Sequence, residues 1–247
     1  MRERSGSHAA SHGRGSAAAR ASHNTKNQSP SLRRSVALFG GTFDPIHNGH
    51  LAVAQAAMRR LHLDALYFIP SGRPPHKLRH SPQLFAHRYA MVALACSGRR
   101  EYVASLAEAP GEVVGGVFYS LDTVRRFRRR FPRDHFYFLL GADSFLQLPT
   151  WHRYEDLLQA CDFTVASRPG VSMATLQSVI PPEHLSRTSR VDARTIPLRN
   201  ISVHLLAGVN SRVSSSEIRK RIARGRSIEG LVPKAVEDYI RKQAIYR

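Results

Sequence analysis

The chain has 247 residues, 42% of them hydrophobic, with 37 basic against 18 acidic side chains and a formal net charge of +19. That length accommodates one α/β domain with a sizeable core and a small appendage, and no apolar run approaches the ~20 residues of a membrane helix. The two cysteines, Cys96 and Cys161, are too few for a disulfide framework or a metal knuckle and are expected as buried thiols in a reducing cytoplasm.

Residues 1–34 carry seven basic side chains and one acid in a Ser-, Ala-, Arg-, His- and Gly-rich stretch without hydrophobic period. They read as a disordered basic extension, or as the product of a start codon placed too early. The acid-poor composition matches an organellar transit peptide superficially, but no amphipathic helix accompanies it. Residues 35–247 then read as the folded domain.

From Ser35 onward short apolar runs alternate with helical patterns. Strands are expected at Val36–Phe39, Ala65–Ile69, Tyr102–Ser105, His135–Leu140, Phe163–Ala166 and Ile201–Leu205. Leu51, Ala54, Met58 and Leu61 form one helical stripe. Leu84, Met91, Val92 and Ala95 form a second with Arg88 at its margin, and Leu121, Val124, Phe127 and Phe131 a third. Ser214-Ser215-Ser216-Glu217 has capping-box spacing before a helix through Ile218 and Ile222 that stops near Gly225. Pro233 opens a last helix running to about Ala244. Strand–helix alternation of this kind implies an α/β fold, a Rossmann-like doubly wound and mainly parallel sheet with helices on both faces and a C-terminal helical segment. Ligands then belong at the carboxyl ends of strands, near a switch point.

The segment Gly40-Gly41-Thr42-Phe43-Asp44-Pro45-Ile46-His47-Asn48-Gly49-His50 joins the first strand to the first helix. Paired glycines let backbone N–H groups approach a phosphate, and a helix N-terminus offers unpaired donors to an anion. His47 and His50 are three apart and share one face of the first turn. The segment is neither a dinucleotide fingerprint nor a P-loop, and no third ligand cluster supports a zinc pair. Ser214–Ser216 begin a second helix whose N–H groups and hydroxyls suit phosphate, with Arg219 one turn on. Lys77 stands in a Pro-rich loop after a strand, as a mobile phosphate ligand or a solvated lysine. Asp143 follows an apolar run, where a carboxylate can accept from ribose hydroxyls. The run Arg125–Arg133 reads as the solvated side of an amphipathic helix, because Val124, Phe127 and Phe131 take the other side.

The opening segment resembles the signature of the HxGH nucleotidyltransferases. Further segments narrow the resemblance to bacterial nicotinate-nucleotide adenylyltransferases. These are Pro74-Pro75-His76-Lys77, Tyr119-Ser120-Leu121-Asp122-Thr123, Gly141-Ala142-Asp143-Ser144, Leu148-Pro149-Thr150-Trp151, Arg168-Pro169-Gly170, Val213–Arg219 and the ending Ile245-Tyr246-Arg247. The resemblance implies transfer of an adenylyl group from ATP to nicotinate mononucleotide, with Mg2+ accompanying ATP. It implies that His47, His50 and Arg219 are catalytic. It assigns ATP to Gly40, Gly41, Thr42, Phe43, Lys77, Asp143, Arg168, Ser214, Ser215 and Ser216, and the pyridine nucleotide to Tyr119, Ser120, Trp151 and His152. No protein ligand for a metal is assigned. The chain departs from the family in reading Phe118-Tyr119-Ser120 where Ser-Tyr-Thr is usual, and in placing His152 where a tyrosine is common. Nicotinamide-mononucleotide or phosphopantetheine adenylyl transfer are the rival reactions. A nucleic-acid module is the remote alternative and a nucleic-acid partner is not expected. No membrane partner is expected either, and a homo-oligomer stays open.

Overall fold

A computed structural model of the protein describes residues 33–72, 82–111, 117–167, 171–188, 191–209 and 213–247. The expectations for the extension up to residue 32, for Lys77 and for Arg168 lie outside the described residues. The unit containing the sheet starts at Arg33.

The described strands are β1 (Ser35–Gly41), β2 (Ala65–Pro70), β3 (Tyr102–Ala104), β4 (His135–Gly141), β5 (Asp162–Ala166), β6 (Thr195–Pro197) and β7 (Ser202–Leu206). The α-helices are α1 (Asn48–Leu61), α2 (Phe85–Cys96), α3 (Ser120–Arg130), α4 (Ala142–Leu146), α5 (Tyr154–Leu157), α6 (Met173–Gln177), α7 (Ser215–Ala223) and α8 (Lys234–Lys242). The sheet order is β3-β2-β1-β4-β5-β7-β6, parallel except for the β6–β7 pair. The chain winds outward from β1 to β3, then returns to place β4 on the other side of β1. The switch point therefore falls between β1 and β4, where loops leave in opposite directions and open a crevice.

Continuous apolar strands follow from burial on both faces. Along β1, Val36 and Leu38 enter one core with α3 to α6, whereas Ala37 and Phe39 enter the other with α1, α2, α7 and α8. Alternating Cβ directions produce that division. Cys161 lies in the first core and Cys96 in the second, so the sheet separates the two thiols. In α3, Leu121, Val124 and Phe127 are buried while Arg128, Arg129 and Arg130 are exposed, as the helical period requires.

Three features differ from the sequence expectations. Leu84 is not on the buried stripe of α2: it precedes the first turn and is 70% exposed, whereas Arg88 is 1% exposed at the centre of the stripe. The short elements α4, α5, α6 and β6 were not expected. Glu217 completes only half of a capping box, because its backbone N–H reaches Ser214 Oγ but its carboxylate bonds Arg221 instead. Among the described residues no helix is long and apolar enough to cross a membrane.

Candidate active site

β1 ends at the floor of the crevice, and the signature segment turns there into α1. Phe43 takes a left-handed backbone (φ 48°) that drives its ring down among Phe39, Phe68 and His50. Phe43 is thus a packing residue, 1% exposed, and its side chain does not line the cavity. Its ring also explains Gly41, where an added Cβ would come within 2.9 Å of the ring. Gly40 would make only ordinary contact with Phe138 at 3.7 Å.

His47 caps α1, and the two histidines bond reciprocally through the backbone. His50 N–H donates to His47 Nδ1 at 3.4 Å, and His47 N–H donates to His50 Nδ1 at 3.3 Å. The rings stack with centroids 3.7 Å apart. Burial pushes His47 down to about 4. Burial, and then the neighbouring His47, pushes His50 well below the ordinary histidine value. Both rings are therefore neutral at pH 7. With each Nδ1 accepting a backbone N–H, the proton of each ring resides on Nε2, which leaves two neutral donors at the start of a helix.

α7 presents its N-terminus to the same cavity. Ser214 caps it, accepting from Glu217 N–H at 3.2 Å, and Ser215 Oγ donates to the Pro45 carbonyl at 2.9 Å. Both serines line the cavity. Ser216 does not: it is exposed and accepts from Arg219 at 3.4 Å. Arg219 donates to the Asp44 carbonyl at 2.7 Å and lies 3.8 Å from the Asp44 carboxylate, beside the cavity rather than in its wall. Two helix starts thus converge on one space and are tied together through Asp44 and Pro45.

The cavity has a volume of about 560 Å³ and runs along the carboxyl ends of β1 and β4. At the β1 end it meets Gly40, Gly41, Thr42, His47 and His50, and at the β4 end Asp143, exposed in the first turn of α4. Its lining is also aromatic. Tyr119 and His152 stack with centroids 4.1 Å apart, and Trp151 sets its edge against Phe138 at 6.3 Å. Tyr119 and Ser120 begin α3, so that hydroxyl and ring sit at a third helix start.

Two structural supports were missed from sequence. Arg88 donates to the carbonyls of Thr42 at 2.8 Å, Gln83 at 2.9 Å and Gly72 at 3.3 Å, so one guanidinium pins the loops after β1 and β2. An arginine on an apolar stripe was the available signal. Glu108 lines the cavity and accepts from Thr123 Oγ1 at 2.9 Å and from Gly72 N–H. Burial pushes its carboxyl above the ordinary value despite those bonds. Gly72 is required there, since a Cβ would lie 2.4 Å from the Glu108 carbonyl oxygen.

Among the described residues no group of three or more His, Cys, Asp or Glu side chains is arranged to hold a metal ion. The family model described as cytidylyltransferase-like matches residues 38–221. A protein of Pelobacter propionicus named "Probable nicotinate-nucleotide adenylyltransferase" is 41% identical over 214 residues, covering 85% of this chain and 97% of its own length. One of Geotalea uraniireducens with the same name is 37% identical over 213 residues, covering 85% and 97%. Among solved structures, the Plasmodium falciparum nicotinic acid mononucleotide adenylyltransferase complexed with NaAD matches with a TM-score of 0.66 at 19% identity. That match covers 87% of this chain and 98% of the other, and at such identity it speaks for the fold. A second, described as a putative nicotinate-nucleotide adenylyltransferase from Vibrio parahaemolyticus, has a TM-score of 0.57 at 14% identity, covering 87% and 96%. Fold, signature segment and relatives agree, and the chain belongs to the nicotinate-nucleotide adenylyltransferase family within the cytidylyltransferase-like nucleotidyltransferases.

Proposed function

We propose that the chain transfers the adenylyl group of ATP to nicotinate mononucleotide, releasing pyrophosphate and forming nicotinate adenine dinucleotide, a step of NAD biosynthesis. The observation that carries this reading is one cavity lined both by two phosphate-type helix starts, at His47–His50 and Ser214–Ser215, and by Trp151, Tyr119 and His152. A dinucleotide product joins two nucleosides through a central diphosphate, so it asks one cavity for both phosphate donors and flat aromatic surfaces.

The attacking group is already an anion, with a second phosphate pKa near ~6. It needs no strong base from the protein. A phosphate oxygen of the mononucleotide forms a bond to the α-phosphorus of ATP in line with the bond to the β-phosphate oxygen. That bond breaks and its electron pair leaves on pyrophosphate. The work is positioning two anions and stabilising charge. His47 and His50 donate from Nε2 to phosphate oxygens. Ser214, Ser215 and the N–H groups of α7 hold the outer phosphates, and Arg219 adds charge from one turn further on. Asp143 accepts from a ribose hydroxyl, and Trp151 with the Tyr119–His152 pair encloses the pyridine ring. Thr42, Gly40 and Gly41 line the phosphate approach, while Lys77 and Arg168 keep their assignment to ATP from the resemblance. Mg2+ arriving with ATP would supply charge neutralisation of its phosphates, and no residue of this chain is assigned to hold it. We place the activity in the cytoplasm, a reading supported by two buried free thiols on opposite faces of the sheet.

Pyrophosphate release, profiled over nicotinate mononucleotide, nicotinamide mononucleotide and phosphopantetheine with ATP and CTP, tests the assignment. The expected result is the highest kcat/KM with nicotinate mononucleotide and ATP, and a smaller acid-over-amide preference in His152→Ala. A higher kcat/KM with phosphopantetheine or CTP contradicts the assignment.

A further inference from the structure

We propose that Tyr246, the penultimate residue, is a positioning residue for the ATP phosphates: its hydroxyl holds the Asp44 carboxylate so that Arg219 stays available to the cavity. The inference rests on the ATP site proposed above and assigns part of its affinity to the C-terminal tail.

Asp44 is only 7% exposed and sits at the crossing of four segments. Its Oδ1 accepts from Tyr246 Oη at 2.7 Å and from Gln83 N–H at 3.3 Å. Its carbonyl accepts from Arg219 Nη1 at 2.7 Å, and its Oδ2 lies 3.8 Å from the same nitrogen. The guanidinium is thus tethered at hydrogen-bond distance by the neutral carbonyl, while the carboxylate pairs with it only at 3.8 Å. Removing the Tyr246 hydroxyl leaves Oδ1 with the Gln83 N–H alone. The freed carboxylate then closes on Arg219, which it already faces at 3.8 Å, and competes with phosphate for it.

The tail is built to deliver that hydroxyl. Ala244 and Tyr246 both take left-handed backbones (φ 52° and 68°), which side-chain-bearing residues rarely adopt, and Ile245 between them is 8% exposed in the core of α1, α2, α7 and α8. Strain of this kind persists where surrounding structure imposes it. Burial, and then the bond to Asp44, raises the Tyr246 phenol above its ordinary value, so it is a donor throughout the working pH range.

The test is calorimetric titration of Mg-ATP into the wild-type chain, Tyr246→Phe, Arg219→Ala and the double variant, with melting temperatures recorded alongside. Competition from the freed carboxylate for Arg219 predicts that ATP binds about tenfold more weakly to Tyr246→Phe, roughly the worth of one charged hydrogen bond to phosphate. It also predicts that Tyr246→Phe adds less than about twofold in the Arg219→Ala background, the non-additivity of residues acting as one unit. In turnover assays the KM for ATP rises while the KM for nicotinate mononucleotide does not. Unchanged ATP affinity in Tyr246→Phe, an undiminished effect in the Arg219→Ala background, or a parallel rise of both KM values with a lowered melting temperature overturns the proposal. A wild-type chain that turns over other substrates but binds no ATP overturns the functional reading and the latch together. That failure is visible before any variant is compared.

Discussion

His47 and His50 carry no charge in the free protein because each ring is desolvated and each Nδ1 is committed to the other's backbone N–H. A neutral pair attracts polyphosphate less from afar than lysines would, but it donates without an ion to desolvate, and it takes up positive character only as phosphate charge arrives. The arrangement has a stability signature. His47 is held at about 4, below its ordinary 6.5, so the unfolded chain takes up this proton first. The contribution of the neutral ring is complete above the unfolded value and is lost as pH falls toward 4. For His47 alone that loss is on the order of 3 kcal/mol. Denaturant unfolding from pH 7 to pH 4 should show it, and a His47→Gln, His50→Gln variant should show a shallower decline. Equal slopes for the two proteins contradict the neutral-pair account. Both histidines were legible in the sequence because strand, glycines and helix start surround them. Phe43 was assigned to ATP by the resemblance, and nothing in its neighbours announces the left-handed backbone that turns its ring into the core. Ser216 was grouped with Ser214 and Ser215, yet the helical turn carries it out to solvent.

Element by element, α1, α3 and α7 each aim an N-terminus at the cavity, and α2 fixes the loops between them through Arg88. A buried guanidinium bonding three carbonyls is costly to remove, since each carbonyl left without a partner costs about 1–3 kcal/mol. Arg88→Met should therefore destabilise the fold by about 3 kcal/mol or more, measured by denaturant unfolding, and raise the KM for ATP through the Thr42 loop. A variant as stable as wild type removes Arg88 from the scaffold. Its place on α2 was readable as a helical position, but hydropathy alone assigned the arginine to the margin and Leu84 to the core, the reverse of what is found. The long elements were legible because strands buried on both faces are unbroken apolar runs and helices of nine or more residues display a period. α4, α5 and α6 have four or five residues, too few for a period, and β6 has three residues in a polar stretch, paired antiparallel at the edge by tertiary context.

For the molecule as a whole, the order of strands decides where chemistry can occur. The switch between β1 and β4 opens one crevice, and residues from distant parts of the sequence, among them Gly40, His50, Tyr119, Asp143, Trp151 and Ser215, line it together. Much of the excess positive charge stands elsewhere. Arg128, Arg129 and Arg130 are exposed at the end of α3, while Val124 and Phe127 of the same helix are buried, so the run is the solvated face of a core helix. Sequence reading reached this architecture through strand–helix alternation. It could not reach the knot at Asp44, because the partners Gln83, Arg219 and Tyr246 meet only after folding. The central claim is that this crevice accelerates adenylyl transfer by placing neutral histidine donors against ATP phosphate. It is tested most directly by comparing wild type and His50→Ala in pyrophosphate release from ATP and nicotinate mononucleotide. The account predicts turnover lower by about 10²–10³-fold in a variant that still unfolds cooperatively. Wild-type turnover in that folded variant would contradict it.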